Sequence, residues 1–173
     1  LQTVRASFMK YHGSSGSSGV QTCVLFAQGA PPVRIGTDCS GAESPIWALR
    51  SVGVPHEHIF SCDWKAPVRE FIRATCPPTG PMFDNMLKRD TAIIPEHDVY
   101  VAGFPCTPFS SLRGHATKLL REQAAKVFFK CLGVIAYTLP AVVILKNGMG
   151  IAKVIDRVAK ELQKLKSYFV LII

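Results

Sequence analysis

From residue 33 onward the apolar positions come in two alternating lengths, short β-branched runs and longer stretches at helical spacing. Residues 33–37 read as a strand, followed by a turn at Asp38-Cys39-Ser40-Gly41. Residues 45–49 are expected to start a helix, with Ser44 as N-cap and Pro45 at the first helical position. A second strand covers 58–61, a second helix 66–75, and a short apolar piece, Met82-Phe83, precedes a loop over 84–90. The run Asp98-Val99-Tyr100-Val101-Ala102 is β-branched and aromatic, is punctuated ahead by Ile94-Pro95-Glu96-His97, and stops at Gly103, as a buried strand would. Leu120, Ala124, Val127, Phe128, Cys131 and Ile135 then recur at helical spacing, predicting a helix over 117–138. A strand over 141–145, a helix over 151–166 and a strand over 168–173 complete the pattern. Strand and helix alternate throughout, so the expected class is α/β, a doubly wound, mostly parallel sheet with helices on both faces.

Ahead of this pattern, residues 1–32 read as a separate flexible segment, with the Gly/Ser linker Gly13-Ser14-Ser15-Gly16-Ser17-Ser18-Gly19 and a closing Pro31-Pro32. Residues 33–173 form the one expected folded domain. The start at Leu1 and the stop within an apolar run suggest a chain cut from something longer.

A length of 173 residues with 48% apolar composition fits one globular domain. No apolar run approaches the roughly 18 residues that a membrane helix needs, and the start lacks a basic-then-apolar leader pattern. The expectation is an intracellular protein without membrane contact, nuclear in a eukaryote and cytoplasmic in a prokaryote or virus. Cysteines 23, 39, 62, 76, 106 and 131 include no C-x-x-C pair, so neither a metal site nor a disulfide framework is expected.

The net charge of +8 is lopsided: residues 1–110 hold nine Lys or Arg against nine Asp or Glu, and residues 111–173 hold eleven against three. Arg113, Lys118, Arg121, Lys126 and Lys130 follow closely on Cys106. Such a cluster suits the phosphates of a nucleic acid. It equally suits the solvated face of a helix.

Candidate chemistry concentrates where strands end. Gly103-Phe104-Pro105-Cys106-Thr107-Pro108-Phe109-Ser110 puts a thiol just past a strand, with φ fixed by proline on either side. A free cysteine is commonly a core residue, and on residue type alone Cys106 is open to that reading as well as to that of a nucleophile. Two carboxylates lie at or just beyond the first two strands, Asp38 before Ser40-Gly41 and Asp63 before Trp64. In dinucleotide-type sites the first turn lies against the cofactor and an acid after the second strand takes the ribose hydroxyls.

These residues carry a resemblance. The stretch from Ile94 through Ser110 resembles motif IV of the cytosine-5 DNA methyltransferases with its preceding strand, the turn from Thr37 to Pro45 resembles motif I, and Phe60-Ser61-Cys62-Asp63-Trp64-Lys65 resembles motif II. The resemblance implies the Rossmann-like fold of S-adenosylmethionine-dependent methyltransferases, Cys106 as catalytic nucleophile beside Pro105, and S-adenosyl-L-methionine as cofactor. It places the methionine part near Ser40 and Gly41, the ribose on Asp63, the adenine against Trp64 and an acid for the adenine amine at Asp84, with Asp38 and Pro105 also counted among the cofactor-binding residues. DNA is the implied partner, with RNA as the alternative within the same fold.

Three departures matter. The usual Phe-x-Gly-x-Gly of motif I is Cys39-Ser40-Gly41-Ala42-Glu43, lacking the aromatic and the second glycine. The Glu-Asn-Val of motif VI is Lys146-Asn147-Gly148, so a lysine stands where the family's glutamate steadies the ring nitrogen and reads the cytosine amine. An ammonium has three donors and no acceptor, and cannot receive a hydrogen from that amine. Within residues 33–173 there is also no Gln-x-Arg-x-Arg and no target-recognition segment. The expectation is a truncated front part of a methyltransferase domain whose turnover is impaired, with an inactive binding relative as the rival reading.

Overall fold

The structure is a computed structural model, and it describes residues 9–10, 22–23, 31–104, 118–147, 160, 163 and 164. The chain divides into two compact units, Leu1–Pro31 and Pro32–Ile173. In the first, β1 (Met9–Lys10) pairs antiparallel with β2 (Thr22–Cys23), a ribbon the linker-like composition did not announce. The Gly/Ser stretch expected to be flexible lies outside the described residues.

The second unit is built on a five-stranded sheet in the order β5-β4-β3-β6-β7. Its strands are β3 (Val33–Asp38), β4 (His56–Cys62), β5 (Met82–Phe83), β6 (Val99–Ala102) and β7 (Val142–Leu145). Every described pairing in it is parallel. The helices α1 (Ser44–Ser51), α2 (Ala66–Thr75) and α3 (Lys118–Thr138) connect them, with side chains of α3 described from Lys126 on.

Two apolar clusters show that the sheet is covered on both faces. Ile35 and Val101 pack with Ile46 of α1 and with Ile72 and Cys76 at α2. Phe60, Tyr100 and Ala102 pack with Phe128, Cys131, Leu132 and Ile135 of α3. The expected doubly wound α/β class holds. None of the described helices is long and apolar enough to cross a membrane.

The ladder between β3 and β4 slips once. Ile35 lies opposite His58 but Gly36 lies opposite Phe60, so Ile59 is an extra residue in β4. Phe60 is buried and its ring lies over Gly36, where a β-carbon would come within 1.9 Å of Phe60 Cε1. Only glycine admits this approach. Beyond the bulge the two strands stay in step to Asp38 opposite Cys62.

Most element bounds follow the sequence pattern, with one change of role. Ser44 is the first residue of α1, and the preceding position is Glu43, in the left-handed region with no side-chain cap bond. A 3₁₀ turn at Thr91–Ile93, capped by Asp90 accepting from the Ala92 amide, was not expected. Of the helix expected over 151–166, only Lys160, Gln163 and Lys164 are described, and the Lys164 amide donates to the Lys160 carbonyl as in a helical turn. The strand expected over 168–173 lies outside the described residues.

Candidate active site

Register gathers the site. Cys62, Asp38, Ala102 and Leu145 sit side by side across four strands, with Phe83 of β5 beside Cys62. The connections after all five strands therefore leave along one edge. Sequence order reverses between β3 and β6, and ligands in open parallel sheets bind outside the strand ends at such a reversal.

Between β3 and α1 the chain turns tightly. Cys39, Gly41 and Glu43 all have positive φ, of 52°, 56° and 54°. For Gly41 this is easy and the space where a β-carbon would stand is open. For the other two it costs about 1–2 kcal/mol each, which the surrounding bonds must offset. Ser40 supplies part of this, since its amide donates to the Cys62 carbonyl at 3.1 Å and its hydroxyl oxygen accepts from the Cys62 amide at 3.1 Å. The Gly41 amide donates to Asp63 Oδ2 at 3.1 Å, and the Lys65 amide to Oδ1 at 2.9 Å. Thus Ser40, Gly41 and Asp63 are brought into one hydrogen-bonded group. Next to them Trp64 is 73% exposed, with the Lys65 ammonium 5.8 Å from its ring centroid. The exposed Asp84 follows directly on Phe83 along the same edge.

Asp38 is placed differently from its neighbours. Its carboxylate is sealed from water and receives Arg89 Nη1 at 2.9 Å, Arg89 Nη2 at 2.7 Å and the Tyr100 hydroxyl at 2.7 Å. Burial works against the Arg89 charge, but the Asp38 carboxylate more than compensates and raises its pKa. Burial, reinforced by Asp38, holds the Tyr100 phenol well above its ordinary range. The Asp38 side chain is a structural anchor at the base of the turn, facing inward, while its carbonyl accepts from the Gly103 amide at 3.3 Å and ties β3 to the end of β6.

Pro105 and Cys106 lie outside the described residues; the last described residue before them is Phe104, buried and packed on Phe128 with ring centroids 5.5 Å apart. From β7, the Lys146 amide donates to the Ala102 carbonyl at 2.9 Å and Asn147 Nδ2 to the Phe104 carbonyl at 3.0 Å. The Lys146 side chain is exposed at this edge. Burial pushes the Cys39 and Cys131 thiols up to about 12, and the Cys62 thiol higher still, so none of the three is a ready nucleophile. Among the described residues no group of three His, Cys, Asp or Glu side chains is placed to hold a metal ion.

Several residues escaped the sequence reading. Arg89 sits in a loop with nothing to mark it, yet its guanidinium lies 4.6 Å from the Phe83 ring centroid and 5.5 Å from that of Phe60. Glu43 is fully buried, with Oε1 accepting from Thr37 Oγ1 at 2.7 Å and from the Ser61 hydroxyl. The visible signal for it was an acid at the position of the second glycine of motif I.

This geometry agrees with what the chain is similar to. A family model described as C-5 cytosine-specific DNA methylase matches residues 39–170. No curated protein matches the chain. Among solved structures, the crystal structure of S. pombe Dnmt2 methyltransferase superposes with a TM-score of 0.58 at 16% identity, covering 77% of this chain. The chain spans only 39% of that protein's length, and at such identity the likeness concerns the fold. With the family model covering most of its residues, the chain belongs to the C-5 cytosine-specific DNA methylase family.

Proposed function

We propose that this chain carries the cofactor half and the nucleophile of a DNA cytosine-5 methyltransferase. The observation that carries this reading is the shared edge: the Ser40–Gly41–Asp63 group, the exposed Trp64 and the chain running into Cys106 all leave aligned strand ends. These residues fit S-adenosyl-L-methionine. Asp63 is held by two backbone amides and keeps lone pairs for the ribose hydroxyls, Trp64 offers an exposed ring for adenine, and the space above Gly41 is open for close approach. Asp84 lies within the same group of connections as an acceptor for the adenine amine. When bound, this cofactor supplies an electrophilic methyl group on a sulfonium.

The chain's own part begins with the Cys106 thiolate adding to C6 of a cytosine taken out of its stack, which makes C5 enamine-like and able to accept the methyl group. Departure of the C5 proton to solvent base and expulsion of the Cys106 thiolate then restore the aromatic ring. Lys146 stands at the motif VI position next to Asn147, where it can donate to the ring but not accept from the cytosine amine. Turnover is accordingly weak. The same substitution favours a second reading, an inactive relative that retains cofactor and nucleic-acid binding.

A trapping experiment separates these. Duplex DNA bearing 5-fluorocytosine, with S-adenosylmethionine present, should yield a covalent complex that maps to Cys106 and is lost in Cys106→Ser. Absence of the adduct, together with measurable binding of S-adenosylhomocysteine, would favour the binding-only relative. Transfer to transfer RNA but not to duplex DNA would assign the substrate to RNA.

A further inference from the structure

Beneath the cofactor turn lies a cluster that the proposed chemistry does not use. Regular alternation would send His58 and Ser61, three residues apart in β4, to opposite faces of the sheet. The extra residue Ile59 between them reverses the second half of the strand, and both side chains arrive on one face, with Ser61 Oγ 2.8 Å from His58 Nε2. Bulges re-aim side chains in this way. Thr37 from β3 and Glu43 from the turn meet them there. Glu43 Oε1 accepts from Thr37 and Ser61 and lies 3.4 Å from His58 Nε2. His58 Nδ1 faces the Cys76 carbonyl at 2.9 Å, which only accepts, so that nitrogen carries a hydrogen. Glu43, His58 and Ser61 are all buried.

The cluster reaches the cofactor turn through the Thr37 hydroxyl, and the Glu43 amide also donates to the Ser40 carbonyl at 3.0 Å. Thr37 gives its single hydrogen to Glu43, so in the 2.7 Å contact between Thr37 Oγ1 and Ser40 Oγ the serine is the donor. Ser40 in turn braces Cys62, and Gly41 follows with its amide on Asp63. Glu43 meanwhile holds a left-handed backbone that glycine would adopt without strain. A side chain that bears this strain and also buries Oε2 without a partner among the described residues is held there by what its other oxygen does.

We propose that Glu43 is a positioning residue of the cofactor turn, acting through Thr37 and Ser40 to fix the Gly41 amide and Asp63 where the cofactor's ribose and methionine parts bind. The proposal deepens the cofactor reading above and rests on it for the ligand, though not for the turn geometry. It follows that the second glycine of motif I is absent because its place is taken by an internal strut.

Two measurements on the whole chain test it. The first is amide hydrogen exchange at Ser40 and Gly41, which needs no ligand. Glu43→Gly keeps the backbone shape and removes the strut, so exchange at these two amides should quicken about tenfold while the β6 amides stay protected, the equivalent of one lost hydrogen bond. The second is calorimetric titration with S-adenosylhomocysteine, whose Kd should rise about tenfold in Glu43→Gly and in Thr37→Val. Glu43→Gln, which keeps a carbonyl oxygen for Thr37 and Ser61, should lie between these variants and the parent in both readings. Unchanged exchange in Glu43→Gly overturns the proposal. If that variant fails to fold, unchanged exchange in Thr37→Val does so instead. Altered exchange with no binding even by the parent chain leaves the strut standing and removes the cofactor reading.

Discussion

Asp38 and Arg89 meet as a two-pronged ion pair with both side chains withdrawn from water, 51 residues apart in the chain. The pair fastens the loop after β5 to the end of the central strand. Breaking such a pair costs more than never having had it, because the surviving charge stays buried without its partner. Arg89→Met should lower unfolding stability in urea by about 3–5 kcal/mol. Replacing the whole group together, Asp38→Leu with Tyr100→Phe and Arg89→Met, should recover most of that loss. A single substitution with no measurable effect would contradict the buried geometry.

His97 predicts acid sensitivity. Burial lowers its pKa from the ordinary 6.5, and its Nδ1 faces the Pro95 carbonyl at 2.8 Å between the Phe60 and Tyr100 rings. The unfolded chain takes up this proton near pH 6.5 while the folded chain resists it until lower pH. Its contribution to stability is therefore complete above about pH 6.5 and is lost as pH falls toward the folded value, with a limiting slope of about 1.4 kcal/mol per pH unit. Urea unfolding at pH 7.5 and pH 5 should show a smaller difference in His97→Phe than in the parent chain.

Thiol labelling distinguishes the cysteines. With burial holding Cys39 and Cys131 up to about 12 and Cys62 higher, the native chain treated with iodoacetamide at pH 7.5 should leave all three unmodified. Cys106, if it is the nucleophile, should be modified. Peptide mass spectrometry reads the outcome, and preferential modification of Cys39 would refute the ordering.

Asn147 braces the approach to Cys106 by donating to the Phe104 carbonyl at 3.0 Å. Asn147→Ala should cost about 1 kcal/mol of stability. The rate of 5-fluorocytosine trapping should also fall, because the chain leading to the thiol loses its tie to β7. An unchanged trapping rate would confine Asn147 to a structural role.

The sheet and the face of α3 were legible because burial imposes period: Tyr100 and Ala102 alternate inward, and Phe128, Cys131 and Ile135 recur by the turn. The parallel class followed from the alternation of strands and helices, and the common edge from the chemistry crowded at strand ends, whereas the strand order came only with the pairings. What stayed hidden depends on register. A single extra residue at Ile59 leaves no compositional mark, yet it decides that His58 and Ser61 share a face. Asp38 illustrates the same limit. An acid ending a first strand suggests a ligand, and only the distant Arg89 and Tyr100 show that its carboxylate serves the interior.

The slip in the ladder also sets a rule for chain length. Deleting Ile59 would leave β4 smoother and its backbone pairing more regular, which by local criteria is an improvement. It would also send His58 toward the opposite layer and dissolve the support under the turn. Relatives that keep an acid at position 43 should therefore keep the spacing of this strand, and those that regularise the strand should revert that position to glycine.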